Sequence, residues 1–395
     1  MLDKIKSQGP VWLDDDDCDL DAFKRHLAQE TRAEDYPHAS QVASNIPIYD
    51  GARMRKAMDD DAEARAIMAE WNTSFQAGPG IIVIRAGYDD HALIDAVNEE
   101  LNAIIEDEEA GAAGKGDHFA AAGANSRIWN AHEKLAVRAP ELFVRYNTNE
   151  LVRRASESWL GTGYQVTTQV NVVRPGGKAQ TAHRDYHMGF QDGATLSAFP
   201  ASQHALSAAL TLQGAVAHSD MPVETGPTKL LPYSQSYLPG YIAVLKQEFR
   251  DEFERSFVQL PLEKGDMVYF NPATFHAAGD NRTQDKHRIA NLMQIGSTYG
   301  RSIEIVDRSR ITLNVYDDLT KLLSSGAITA READNVVAAT AEGYPFPANL
   351  DIDSPLTGMA PPSQQDVLRQ ALDERWTHAA LKDAIEAQSG RKRSH

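Results

Sequence analysis

The sequence predicts a mainly β core of the jelly-roll or barrel kind with flanking helices, an α+β arrangement, on three observations. Short alternating or β-branched runs recur from Tyr164 to about residue 297. Turn chemistry separates them, as at Glu224-Thr225-Gly226-Pro227 and Lys264-Gly265-Asp266. Longer stretches with apolar residues at three- and four-residue steps lie on either side. With 395 residues, 42% of them hydrophobic, the chain can bury a sizeable core. The expected organisation is an N-terminal extension over 1–50, a core domain with supporting helices over 51–300, and a helical extension over 301–395.

In order along the chain, residues 1 to about 50 read as polar and irregular. Residues 53–75 carry a helical pattern that ends at the Gly78-Pro79-Gly80 breaker. The β-branched run Ile81-Ile82-Val83-Ile84 reads as a buried strand. Asp89 and Asp90 are placed to cap a helix carrying Leu93, Ile94, Val97, Leu101, Ile104 and Ile105 on one stripe. The segment from Gly111 to Asn125 is rich in Gly and Ala, which suits a loop and a candidate lid. Helices follow at roughly 132–142 and 148–160. From Gln165 to Val173, Val166, Thr168, Val170 and Val172 share one strand face, while Gln165, Thr167, Gln169, Asn171 and Val173 share the other. Further strands are expected around 206–216, 257–262, 267–270 and 288–297, with a helical insertion at 239–256. Residues 317 to about 390 again read as helices and loops, and there is no internal repeat.

The formal net charge of −17 argues against general affinity for nucleic acid or an anionic membrane, because both rely on clustered Lys and Arg. The run Asp14–Asp17 reads as a solvated acidic turn. A single cysteine, Cys18, with no basic-then-apolar segment at the N-terminus, leads to the expectation of a reducing, cytoplasmic setting.

The chemistry is carried by Thr181-Ala182-His183-Arg184-Asp185-Tyr186-His187. On a strand, period two sends His183 and Asp185 to the same face. A distant histidine would complete a two-histidine, one-carboxylate facial set, which leaves positions open on a metal such as iron(II) for oxygen. That histidine is His276: Gly265 to Phe270 reads as a turn and strand leading through Asn271-Pro272-Ala273-Thr274-Phe275 to it. Twelve residues on, Arg288 heads the apolar run Ile289-Ala290-Asn291-Leu292-Met293. A buried arginine is costly unless paired, so it calls for an anion, either a protein carboxylate or a dicarboxylate co-substrate. Bidentate, charge-assisted bonds to such a ligand contribute roughly 1.5–3 kcal/mol each. His187 could share the face of Asp185, while His204, His218 and His287 lie in less diagnostic surroundings.

In this order of features the chain resembles the phytanoyl-coenzyme A dioxygenase-like branch of the iron/2-oxoglutarate oxygenases. An apolar strand and an amphipathic helix precede Gln169-x-Asn171; then come His183-x-Asp185, Gly226 to Gln235, His276 and Arg288. The resemblance spans roughly residues 75–300. It implies a double-stranded β-helix core, of the cupin-like jelly-roll form, that holds Fe(II) through His183, Asp185 and His276. It also implies use of O2 and of 2-oxoglutarate as co-substrate, with Arg288, Gln169, Asn171 and Thr228 around the latter. Gln235 stands where the family commonly has histidine. Ala278 stands where a hydroxyl residue often helps hold the co-substrate, so Thr228, Tyr269 or a water must substitute. The carboxylate of Asp185 favours hydroxylation or a related oxidation over halogenation.

For the substrate, the acidic chain favours a free small molecule over a coenzyme A thioester. Tyr186, Met188 and Phe190, which flank the motif, and Arg127 and Trp129 are the candidate contacts. Two other classes fit the same barrel: a cupin-like isomerase or hydrolase on a non-redox metal, and a ligand-binding or sensory protein without turnover.

Overall fold

The computed structural model describes residues 10–111, 125–355 and 358–394. The expected lid between Gly111 and Asn125 therefore lies outside the described residues except at its ends. Ten strands are present among the described residues: β1 Gln41–Ala43, β2 Ile46–Asp50, β3 Ile81–Arg85, β4 Asn125–Ile128, β5 Gln165–Val173, β6 Thr211–Ala217, β7 Lys229–Leu230, β8 Met267–Phe270, β9 His276–Ala277 and β10 Arg288–Gly296. Eight form one mixed sheet in the order β1-β2-β3-β8-β6-β10-β5-β4, and β7 pairs with β9. The β2–β3 pair is parallel, whereas β3–β8, β6–β8 and β7–β9 are antiparallel.

Two compact units divide the described chain. The first comprises residues 10–89, 125–127 and 171–293; the second comprises 90–111, 128–170 and 294–394. Strands β5 and β10 contribute residues to both.

Within the first unit the pleat decides the layers. Ile46 and Ile48 of β2, Ile81 and Val83 of β3, Val268 and Phe270 of β8, Ala215 and Ala217 of β6 and Ala290 of β10 face one core, which also takes in Leu230 of β7. The opposite face of the sheet is covered by the helix Asp61–Gln76, where Trp71 meets Tyr49 edge-on at 5.8 Å and Ser74 donates to the carbonyl of Ile81. A second apolar cluster, with Phe23, Leu231, Phe249, Phe253, Phe275 and Ala277, packs the far side of the β7–β9 pair. The second unit is largely helical. Its core residues include Leu135, Phe143, Val144, Ile311, Val315 and Val337, and the Thr329/Glu332 and Ser363/Asp366 capping boxes start two of its helices.

Several expected elements shift. The segment before residue 50 is not irregular, since it holds the helix Leu20–Leu27 and strands β1 and β2, with Ile46, Ile48 and Tyr49 buried. The 53–75 pattern is two helices, Gly51–Ala57 and Asp61–Gln76. They are split where the Asp60 side chain caps the second by accepting from the amides of Ala62 and Glu63. Likewise Pro140 divides the 132–142 helix into Ala131–Arg138 and Pro140–Tyr146. The expected strand at 206–216 begins only at Thr211, because alanine-rich Ala201–Ala209 is helical. Residues 257–262, which contain Pro261, form no strand; Val258 and Leu262 make only isolated bridges to Leu230 and Met221. The strands at β3, β5, β8 and β10 and the helix His91–Gly111 stand as expected, the last started by Asp90 accepting from the amide of Leu93. No described helix is long and apolar enough to cross a membrane.

Candidate metal centre

His183 and His276 face each other across an antiparallel bridge, exchanging both backbone hydrogen bonds at 3.0 and 3.1 Å. The amide of Asp185 then donates to the carbonyl of Pro272 at 3.0 Å. This pairing keeps the His183–Asp185 segment extended, so period two does bring both side chains to one place. His183 Nε2 lies 3.8 Å from Asp185 Oδ1, and His276 Nε2 lies 3.5 Å from Asp185 Oδ2. The three donor atoms sit within 4.8 Å of one another, the one such metal-capable cluster found among the described residues.

Each imidazole is oriented by its other nitrogen. Nδ1 of His183 lies 2.8 Å from the carbonyl of Thr181, and Nδ1 of His276 lies 2.8 Å from that of Thr274. A carbonyl can only accept, so each Nδ1 carries the proton and each Nε2 lone pair points at the cluster. Phe270 packs edge-on against His276 at 4.9 Å. His276 and Asp185 are nearly enclosed, whereas the His183 side chain is 33% exposed, which marks the open side of the site.

Burial pushes the Asp185 carboxyl up. The imidazoles of His183 and His276 and the amide of Gln213 outweigh this and hold it at about 2, so the carboxylate is anionic near neutrality. The pKa of His183 is lowered, first by burial and then by His276, while Asp185 opposes; Arg127 adds a further lowering influence, which places its charge within electrostatic reach of the cluster. Two imidazole nitrogens and one carboxylate are the donor set suited to a divalent iron, and this triad fits one.

Arg288 begins β10 on the face shared with Ala290, directed into the first unit's core. It is 5% exposed, its hydrogen-bond contact is a long 3.5 Å to the carbonyl of Thr225, and no described carboxylate pairs with it. Burial lowers its guanidinium to about 10.

The remaining expected residues are distributed as follows. Asn171 is buried on β5, with an Oδ1 that has no hydrogen-bond partner. Gln169 is buried on the same strand, in the second unit. Thr228 is half-buried two residues before the core-facing Leu230. Tyr269, offered as a substitute for the hydroxyl missing at Ala278, is on the opposite face of β8 from Phe270. Its hydroxyl rests on the sulfurs of Met267 and Met293, so it does not reach the core side. Tyr186 is buried and meets Phe190 edge-on at 5.4 Å, while Phe190 is 56% exposed. Met188 packs with Leu13, Leu196, Tyr241 and Ile242. Trp129 is half-buried in the second unit.

His187 does not continue the period. Its φ of +51° starts a 3₁₀ turn that swings the ring toward Thr211 Oγ1, 3.4 Å away. His204 bonds the carbonyl of Leu196, and His287 is exposed. Gln235, in place of the family's histidine, donates to the carbonyl of Gly78 and so ties down the turn before β3.

Two residues went unread in the sequence. Gln213 of β6 donates from Nε2 to Asp185 Oδ2 at 2.7 Å. Arg184, between the two motif residues, is 2% exposed and donates to the carbonyls of Ser234, Gln235 and Tyr237. Its guanidinium also stacks over Tyr241 and Phe275 at 4.9 and 5.2 Å. Gly240 is required beside it, since a Cβ there would lie 2.0 Å from the guanidinium carbon.

Fold and site together present a two-histidine, one-carboxylate cluster able to hold a metal, on a β-sheet core. The family model for phytanoyl-CoA dioxygenase matches residues 77–290, more than half of the chain, and the chain belongs to that family of iron- and 2-oxoglutarate-dependent enzymes. Among solved structures, the non-heme alpha ketoglutarate dependent carbocyclase SnoK from nogalamycin biosynthesis is 18% identical, covering 61% of this chain and 86% of its own, with a TM-score of 0.42. The corresponding epimerase SnoN is 18% identical over 59% of this chain and 84% of its own, with a TM-score of 0.40. HygX from Streptomyces hygroscopicus, solved with nickel and 2-oxoglutarate bound, is 13% identical over 58% and 87%, with a TM-score of 0.39. No curated protein matches the chain.

Proposed function

We propose that this protein is an Fe(II)/2-oxoglutarate-dependent dioxygenase that hydroxylates a C–H bond of a small molecule, on a double-stranded β-helix core. Iron held there would supply the oxidising chemistry, with O2 and 2-oxoglutarate as co-substrates and succinate and CO2 as co-products. His183, Asp185 and His276 hold the metal. The Nδ1 bonds to Thr181 and Thr274 fix the ring orientations that the site needs. Arg288 receives the distal carboxylate of 2-oxoglutarate as a guanidinium fork, with Asn171 and Thr228 as its further candidate contacts. Tyr186, Phe190 and Arg127 are the candidates for the substrate side, whereas Met188 is taken up by the apolar cluster around Tyr241.

The observation that carries this reading is the state of Arg288. A protein carboxylate was the competing explanation for an arginine at the head of a core strand, and no described carboxylate pairs with it. A desolvated guanidinium with one long contact is left uncompensated unless an anion completes it. A non-redox isomerase on the same metal ligands has no such dicarboxylate to bind. Iron kept ferrous also suits a reducing, cytoplasmic setting, as does the unpaired Cys18.

The test is an anaerobic titration of metal-free protein with Fe(II) and 2-oxoglutarate, watching for the visible charge-transfer absorption of a chelated keto acid. The expected result is a band in the wild type that is absent in Asp185→Ala and His276→Ala. Bound iron with no band in the folded wild type would replace this reading with a non-redox enzyme.

A further inference from the structure

Gln213 is 3% exposed on a strand whose other members are Thr211, Leu212, Gly214, Ala215, Val216 and Ala217. It faces the same core as Ala215 and Ala217 and lies opposite Phe270, the residue packed on His276. Its amide makes one hydrogen bond, from Nε2 to Asp185 Oδ2 at 2.7 Å, and its Oε1 is buried without a partner. The amide cannot be turned the other way, because an ionised carboxylate only accepts.

Packing does not explain this side chain. An unpartnered buried amide oxygen is destabilising, and leucine or methionine would fill the same volume without it. The bond to Asp185 is what the glutamine adds. A carboxylate can offer a metal one oxygen or both, and both would consume a coordination position that co-substrate and oxygen require.

We infer that Gln213 is a positioning residue that holds one oxygen of Asp185, so that the carboxylate gives a metal a single oxygen and keeps one more position open. The inference rests on the metal-centre reading but not on the identity of the co-substrate. It concerns the free valences of the metal, a property readable without turnover.

Mn(II) is the probe, used with the full-length protein in the absence of 2-oxoglutarate. In wild type, Mn(II) binds and its exchangeable waters are counted by water-proton relaxation. Gln213→Met, which keeps the length and removes both polar atoms, should weaken Mn(II) about 10–100-fold, as loss of an outer hydrogen bond to a metal ligand does. It should also lower the relaxivity per bound Mn(II) by the equivalent of one water. Gln213→Asn, one methylene too short to reach Asp185, should behave in the same way, and it stands in if the Met variant misfolds. A folded variant with unchanged Mn(II) affinity and water count would overturn the inference and leave Gln213 as packing. A wild type that binds Mn(II) with these Gln213 effects, yet gives no keto-acid band with iron, would keep the inference and remove the oxygenase reading.

Discussion

Two buried arginines, Arg184 and Arg288, sit in the first unit at nearly equal depth, 2% and 5% exposed, and burial lowers each guanidinium to about 10. Their surroundings are opposite. Arg184 donates to three backbone carbonyls, lies over two aromatic rings, and is fitted so closely that only glycine is accommodated at 240. Arg288 has one long contact to Thr225. The second unit repeats the carbonyl-bonded case: Arg308, lowered to about 10 by burial, donates to the carbonyls of Val166 and Ala339. A buried cation wrapped by carbonyls holds loops together, whereas one left nearly bare is, on the proposed reading, completed by a ligand. Depth and pKa do not separate the two roles; the census of acceptors does.

One substitution applied to both arginines would break or uphold that distinction. Arg288→Met removes a bidentate, charge-assisted contact, and should weaken 2-oxoglutarate binding by about two orders of magnitude or more, at roughly 1.5–3 kcal/mol per bond. Isothermal titration with Mn(II)-loaded protein reads this directly. The same variant should leave the unliganded fold as stable as wild type or about 1 kcal/mol more so, because a poorly compensated charge has gone. If affinity is unchanged, Arg288 is not the anchor.

Arg184→Met should have the reverse profile. It removes the guanidinium's bonds to the carbonyls of Ser234, Gln235 and Tyr237, of which the first and last keep a backbone donor, and it loses the cation–π contacts, a cost of about 2–5 kcal/mol in urea unfolding. The protein that remains folded should keep wild-type affinity for 2-oxoglutarate. A drop in affinity without a drop in stability would place Arg184 in the site instead of behind it.

Ligand-linked stabilisation sharpens the contrast further. At a hundredfold excess over its dissociation constant, 2-oxoglutarate should stabilise the Mn(II)-loaded wild type by about 2.7 kcal/mol, visible as a Tm rise of several degrees. Arg288→Met should keep no more than about 0.4 kcal/mol of this at the same concentration, a rise of about a degree or less. An equal rise in both proteins would detach the stabilisation from the guanidinium.

The sequence made some of this legible and concealed the rest for physical reasons. β3 and β8 were readable from dense β-branched or aromatic runs, and β5 from alternation. His183 and Asp185 were readable because period two holds wherever backbone pairing keeps the chain extended, here through the bridge to His276. The same rule misled at His187, where a positive φ ends the extension. It was silent on which face of β8 Tyr269 occupies, since parity becomes meaningful only once a partner strand is known. Gln213 gave no signal, because a single glutamine in a strand announces nothing until Asp185 is found opposite it. Arg184 was hidden for a related reason: its acceptors are backbone carbonyls some fifty residues away, and every residue type has a carbonyl. Charge partners can be searched for in a sequence, but carbonyl partners cannot.

The second unit offers the smallest test, and it concerns a group that is saturated only when neutral. His132 is buried, meets Phe143 edge-on at 4.7 Å, and bonds through Nε2 to the carbonyl of Ala339, which also accepts from Arg308. Burial, helped by the charge of Arg308, lowers its pKa to about 3, with the Ala339 bond opposing. The folded value is therefore depressed below the unfolded value of about 6.5. The unfolded chain takes up the proton first as pH falls, so the contribution to stability is complete above about 6.5 and is lost progressively toward the folded value. Each pH unit within that window should cost about 1.4 kcal/mol from this one residue. Urea unfolding at pH 7.5, 6.0 and 5.0 should show this slope in wild type and a shallower one in His132→Phe, which keeps the ring against Phe143 and has no proton to bind. Equal slopes in the two proteins would mean that His132 is solvated in the folded state, and the saturation by Ala339 would then belong to Arg308 alone.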